Sequence, residues 1–490
     1  MAGSQRAAPL LRPQQLVFLG LLLLLYRSPA LAAKSSETCG VARPCSLSAA
    51  GCDAEVESYK GATTPEIIAR VLAVAEAQAR ATVKNTTTDQ FPYTGKRNVS
   101  DGWTHTSAHA WTSGFFPGVL WQLHNLTGRA EWREQAERWT RPLANLQRDW
   151  ALQHDFGFVY LPSFGEMWKA TKSEEAKKQV LAAAEATAWA FNPATNSTRT
   201  FEGWDAPGAT GKFRQAVIMD HMVNIEVLIE GARLGGPRSW LDDSPDDWID
   251  MAVRHARTVR KNHVRPDGST YHVVEYHPVR GTVNKRYTYQ GYADNSTWSR
   301  GQSWAMLGFA TMYAATRLPE FRLAAEFVGE KWLSLLEAQE GPASGQWIPK
   351  WDFNSPHEPE HNGPLDTSAA AVAALAFLKL AEADPSLPSS RRYLCAAVST
   401  LRALGSDENL ATPSPKGGPL LLHATANRPS NLGLDVGLVF GDYYLLEALE
   451  VCRRVQGCAR PDAAAGQARF PKRPSRAERA ALRRGGGPKP

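Results

Sequence analysis

Two aspartates in this chain stand where a carboxylate is costly unless it is used. Asp155 lies in His154-Asp155-Phe156-Gly157-Phe158, at a helix entrance followed by bulky apolar residues, and Asp220 lies in Val217-Ile218-Met219-Asp220-His221-Met222-Val223. Burial in such a run disfavours the charged form and moves the pKa up toward the range of a general acid. Either residue could instead be an N-cap, accepting backbone N–H groups of a first helical turn. A third cluster runs from Asp294 through Asn295-Ser296-Thr297-Trp298-Ser299-Arg300 to Trp304, with Arg300 and Trp304 four apart and so on one helix face. A guanidinium beside an indole can hold a sugar carboxylate and stack a ring; alternatively Trp304 is core and Arg300 pairs with a surface acid. Paired carboxylates at adjacent hairpin mouths, in a chain with 16 Trp, point to carbohydrate chemistry.

These residues need a scaffold, and the apolar spacing supplies one. Periodicity at i, i+3, i+4 and i+7 predicts twelve helices, near 65–83, 113–125, 131–148, 158–172, 174–191, 217–234, 244–263, 301–317, 319–337, 367–384, 389–404 and 440–453. Thr64-Pro65-Glu66 and Ser173 before Glu174-Glu175 are start signals, and Leu234-Gly235-Gly236-Pro237 is a stop. Short and long connectors alternate, which suggests six helical hairpins closed into an all-α (α/α)₆ barrel with its long loops at one mouth. An open solenoid would show repeats of similar length, and these segments are irregular. In the long loop 264–300, Tyr271–Tyr276 and Arg286–Gln290 read as a small β-hairpin, with Arg286, Thr288 and Gln290 on one face as a polar pocket wall.

Composition bounds the rest. With 43% apolar and 21% charged residues over 490 positions, the chain is globular rather than disordered or fibrous. The net charge of +6 is concentrated after residue 459, where nine basic residues face only Asp462 and Glu478, so the body is about neutral and no nucleic-acid partner is expected. Arg6 and Arg12 ahead of the apolar run Leu16 to Tyr26, then Ala30-Leu31-Ala32, read as an export signal over 1–32. The run is too short for a membrane span, so no integral membrane segment is expected after its removal. A Cys-containing segment over 33–60, a barrel domain over 61–458 and a basic, disordered tail over 459–490 complete the organisation. Asn85, Asn98, Asn125, Asn196 and Asn295 head N-glycan triplets, Asn295 being expected to stay unmodified. Six cysteines, Cys39, Cys45 and Cys52 early and Cys395, Cys452 and Cys458 late, fit an oxidising compartment, and pairing between the clusters would staple the N-terminal segment to the last helices. Secretion or a secretory or lysosomal lumen is the expected location. Neither cysteine cluster has zinc spacing, and no metal or cofactor is expected.

Several of these motifs occur together, in order, in one family. Trp111-Thr112-Ser113-Gly114-Phe115-Phe116-Pro117-Gly118, the Asp155 motif, the Asp220 segment through Asn224, Thr297–Trp304, Asp366-Thr367-Ser368-Ala369-Ala370 and Gly441-Asp442-Tyr443-Tyr444 make the chain resemble the unsaturated glucuronyl hydrolases of glycoside hydrolase family 88. The resemblance implies an (α/α)₆ barrel and an enzyme acting on acidic oligosaccharides that end in a 4,5-unsaturated uronic acid, such as lyase products of chondroitin, hyaluronan or heparin. It implies Asp220 as general acid and then base, Asp155 as second essential carboxylate, His272, Gln290, Arg300 and Trp304 as pocket residues, and Trp111 as an aromatic wall. Thr288 joins the substrate-binding set from its place on the polar face of the hairpin. A monomer is expected. Competing readings are an unsaturated rhamnogalacturonyl hydrolase acting on pectin fragments, a noncatalytic barrel that binds acidic glycans, and a helical-barrel sugar epimerase.

Overall fold

The computed structural model describes residues 64–95, 101–148, 152, 154–200, 215–237, 247–339, 347–356, 364–455, 457 and 458. The expected signal, the segment 33–60 and the tail 459–490 lie outside the described residues. All twelve expected helices are present: α1 Thr64–Asn85, α2 Phe115–Thr127, α3 Ala130–Thr140, α4 over 156–171, α5 Glu174–Trp189, α6 over 221–233, α7 Trp248–Asn262, α8 Ser299–Thr316, α9 Pro319–Glu337, α10 Thr367–Ala383, α11 Pro388–Leu404 and α12 Val439–Arg454. Helix α4 is interrupted by a π turn, Leu161–Gly165, where Pro162 has no N–H to give the regular ladder.

The even-numbered helices form a closed inner ring, in which α2, α4, α6, α8, α10 and α12 each touch the next and α12 returns to α2. Odd-numbered helices pack around them, α3 on α2, α5 and α7 on α6, α9 on α8 and α11 on α10. Burial follows this division. Nearly every residue of α8 and α10 is buried, whereas α1 and α7 bury a single stripe. The (α/α)₆ expectation holds, and closure supplies the partner that each apolar inner face needs.

Connections leaving an inner helix are mostly short, such as Gly128-Arg129, Lys172-Ser173 and Arg317-Leu318. Gly128 ends α2 in the left-handed region at φ 70°, and the Ser173 hydroxyl caps α5 by accepting the Ala176 N–H. Connections entering an inner helix are long, so six helix N-termini and the long loops share one mouth.

The expected hairpin is in fact a three-stranded antiparallel sheet. Strand Val273–Tyr276 pairs with Val283–Tyr287 on one side and with Gln215–Ile218 on the other, Ile218 opposite Val273 and Val273 opposite Tyr287. The start of the sixth helix is therefore corrected: Val217 and Ile218 belong to a strand that delivers the chain to Asp220. Part of the tryptophan content is structural. Trp121, Trp132, Trp139, Trp304 and Trp332 are all fully buried in the core. Cys452 and Cys458 bond to each other, closing the end of α12 locally instead of reaching the early cluster, and Cys395 is also disulfide-bonded. Among the described residues, no helix is long and apolar enough to cross a membrane.

Candidate active site

Asp155 and Asp220 stand at the N-cap positions of α4 and α6, yet neither side chain accepts a cap hydrogen bond. Other aspartates of the barrel do cap. Asp366 accepts from the N–H groups of Ser368 and Ala369, and Asp247 from those of Ile249 and Asp250. Asp442, in the first turn of α12, takes the N–H groups of Leu420 and Leu421, each at 2.9 Å. The capping alternative therefore describes Asp247 and Asp366 but not the two candidates.

Both candidates are nearly buried. Desolvation pushes Asp220 up to about 6, opposed by the Arg300 charge and a backbone N–H. Desolvation and the neighbouring Asp220 charge raise Asp155 well above the ordinary carboxylate range, against a hydrogen bond from Asn224. Two buried carboxylates that repel each other share protons as a pair. Behind them lie two imidazoles that flank them in sequence: the His154 and His221 rings meet edge to face at 5.6 Å, and the His154 Nε2 is 3.2 Å from Asp155 Oδ1. Burial holds both imidazoles neutral, His221 down to about 3, so they add no cation to the site.

The hairpin side of the mouth brings His272. Its Nδ1 meets the Thr288 hydroxyl at 3.0 Å, and its Nε2 faces Asp220 Oδ1 at 3.9 Å. The ring is packed between Tyr289 and Trp298, each 4.5 Å away between centroids. Thr288 is anchored in turn, its N–H donating to Asp294 at 2.9 Å. Gln290 donates to the Ala426 carbonyl at 3.3 Å. Trp111 is half-buried, its ring against Phe158 at 5.5 Å and Phe440 at 5.1 Å, beside the helix that Asp155 heads.

Two expected site residues are buried. Trp304 is fully buried between Phe158 of α4 and Tyr444 of α12, on a helix, α8, whose residues are nearly all buried. Arg300 is 2% exposed; its Nη1 donates to Asp366 and the Thr425 carbonyl, and its Nη2 to the Ala426 carbonyl at 2.6 Å. These bonds use both N–H donors of Nη1 and one of Nη2, three of the five a guanidinium carries, and the acid it pairs with is buried rather than on the surface. What Arg300 supplies is a fixed charge that acts on Asp220.

Two residues the sequence reading passed over belong here. Asn224 donates from Nδ2 to Asp155 Oδ1 at 3.2 Å, and its signal was present: it lies four positions after Asp220, one turn along the same face. Tyr289, set on the apolar face by strand alternation, packs on His272 and feels the charges of both Asp155 and Asp220. The strand ends at Tyr287, so alternation no longer applies.

The far end of the lumen is different in kind. A cavity of about 960 Å³ opens there, walled by residues of all six inner helices, among them Gln122, Glu166, Glu226, Thr311, Lys379 and Glu447. Its charges are largely matched: Lys169 with Glu166 at 2.6 Å, and Arg454 with Glu450 at 2.6 Å and Glu382 at 3.2 Å. Among the described residues no group of three His, Cys, Asp or Glu side chains could hold a metal ion.

A helical barrel with two uncapped, desolvated carboxylates at its loop-framed mouth is an arrangement suited to a carbohydrate-processing hydrolase. Comparison with known proteins narrows the class. The chain is 35% identical over 345 residues to an unsaturated glucuronyl hydrolase of Formosa agariphila, covering 69% of this chain and 79% of that protein. It is 30% identical over 342 residues to an unsaturated chondroitin disaccharide hydrolase of Streptococcus pyogenes, covering 69% and 80%. Among solved structures, an unsaturated glucuronyl hydrolase specific for heparin superposes with a TM-score of 0.68 at 29% identity, over 80% of this chain and 98% of that one. No family model matches the chain. At this identity and coverage the chain belongs to the unsaturated glucuronyl hydrolases, the glycoside hydrolases of family 88.

Proposed function

We propose that this chain hydrolyses glycosaminoglycan oligosaccharides ending in a 4,5-unsaturated glucuronic acid, by adding water across the C4=C5 double bond. The observation that carries the reading is the pair Asp155 and Asp220, which are uncapped and desolvated at one mouth, with Asp220 held near 6. Asp220 gives its proton to C4, and positive charge develops at C5 and the ring oxygen. The resulting Asp220 carboxylate takes a proton from water as the water oxygen bonds to C5. The C5 hemiketal then opens, and the exposed C1 hemiacetal releases the partner sugar while the uronic acid becomes a keto acid. Asp155 stabilises the cationic stage and orients the water. No covalent glycosyl intermediate is needed, so the two-carboxylate spacing rules of ordinary glycosidases do not apply. Six inner-helix N-termini at the mouth direct the positive ends of their dipoles toward an acidic sugar.

The relatives named for glucuronyl, chondroitin and heparin substrates support the substrate class. The test is loss of the ultraviolet absorbance of unsaturated chondroitin, hyaluronan and heparin disaccharides, with saturated disaccharides left intact. Cleavage of a saturated uronide at comparable rate would replace this mechanism with ordinary glycosidase attack. Isotopic oxygen from water should enter the uronic acid at C5 rather than C1. Export to an oxidising compartment is part of the proposal, supported by the Cys452–Cys458 disulfide and by exposed asparagines at the triplets of Asn85, Asn125 and Asn196. A mass decrease on endoglycosidase treatment of protein from a eukaryotic host tests it.

A further inference from the structure

Asn224 has no part in the chemistry above, yet it is fully buried one turn beyond Asp220 and reaches across to the other carboxylate. Its amide has one orientation. Oδ1 accepts the Phe158 N–H at 2.8 Å, so Nδ2 is the end that meets Asp155 Oδ1 at 3.2 Å, and an amide NH₂ can only donate. The backbone enforces the approach, since a Cβ on Gly157 would lie 2.5 Å from the Asn224 Cα. Asp220 is treated differently: its Oδ1 is buried and has no hydrogen-bond partner.

The groups facing the pair are few. Each carboxylate faces the other, Tyr289 faces both, His154 adjoins Asp155, and His272 and Arg300 adjoin Asp220. Repulsion between two buried carboxylates belongs to the pair, so it requires that a proton be shared without saying which member holds it. A fixed N–H donor on Asp155 favours that member's charged form, as a backbone N–H and the Arg300 charge do at Asp220.

We infer that Asn224 is a positioning residue whose fixed N–H donor favours the ionised form of Asp155, against the burial of that carboxylate beside Asp220. The kinetic consequence rests on the proposed acid role of Asp220; the titration consequence does not. In an Asp220→Asn background, the ¹³C carboxyl resonance of Asp155 should titrate about one pH unit higher when Asn224→Ala is added. An unmoved or lower midpoint overturns the inference, whether or not the protein turns over any sugar.

In the otherwise unaltered chain, Asn224→Ala should lower kcat by roughly 10- to 100-fold with KM changed less than about threefold, and move the acidic limb of the kcat profile to higher pH. Asn224→Asp keeps an acceptor for the Phe158 N–H and should show the same kcat loss in a folded protein. If both variants lose activity only in proportion to the folded fraction, with limbs unmoved, Asn224 is a strut for Phe158 and the inference falls. If the parent shows no turnover of unsaturated uronides, the proposed function fails, while the titration still decides this point.

Discussion

The two ends of the lumen are built from the same residue types to opposite effect. At the far end Lys169, Glu166, Arg454 and Glu450 meet in pairs, and the charge there is internally compensated. At the loop-framed mouth Asp155 and Asp220 have no cation bonded to them among the described residues, and nearby Arg300 is committed to Asp366. A matched charge contributes to the fold and is chemically quiet. A carboxylate denied a cationic partner is costly to bury and ready to exchange a proton, the condition a general acid needs.

The contrast can be broken most forcefully at Asp220. Asp220→Asn keeps the shape and removes the proton, so kcat should fall by about 10² to 10⁴-fold with the melting temperature nearly unchanged, measured by absorbance loss and thermal unfolding. Wild-type turnover would make Asp220 as idle as the paired glutamates.

The reverse separation is expected at Asp366. Asp366→Ala strands the buried Arg300 charge and removes the α10 cap, which should cost about 3–5 kcal/mol in denaturant unfolding. Near wild-type stability would mean that Arg300 finds its compensation elsewhere.

pH gives an effect of intermediate size. Because the Asp220 pKa is raised to about 6, the acid is protonated below that value and loses its proton above it. Activity limited by proton donation should therefore fall by up to roughly tenfold per pH unit as pH rises beyond about 6. The same shift means the folded chain binds this proton more tightly than the unfolded one does. Its contribution to stability is full below about 4 and is lost as pH rises through about 6. A rate that climbs steadily from pH 6 to 8 would exclude Asp220 as the acid.

The smallest effect belongs to the far end. Lys379 lies 3.8 Å from Glu447 and 4.0 Å from Glu226, and Glu447→Gln should change stability by less than about 1 kcal/mol and leave kcat unchanged. A large loss of turnover would show that the two ends are coupled and dissolve the comparison.

Most of the scaffold was legible because a helix writes its period into the chain, and all twelve segments carried it. The start of α6 was not, since Val217-Ile218-Met219 is apolar throughout and fits a buried strand as well as a helix. The spacing of Arg300 and Trp304 says less than it promises for a related reason. When a helix is buried all round, two residues on one face do not identify a ligand-facing side. Asp366, which claims Arg300, lies 66 positions away, and no local pattern announces that pairing. The carboxylates were found because their apolar neighbours made them conspicuous, whereas Asn224 looks like any buried amide until Phe158 fixes its orientation.

The contact of α12 with α2 has a consequence for biosynthesis. A ribosome delivers α2 early and α12 almost last, so the ring has a gap between its ends until Val439–Arg454 has emerged. The apolar flanks of α2 and α10 that α12 will cover must wait unburied for most of translation, a condition that favours chaperone binding and penalises crowding among nascent chains. Premature termination anywhere before residue 439 should leave an open crescent with sticky edges, a product for degradation and not a weaker enzyme.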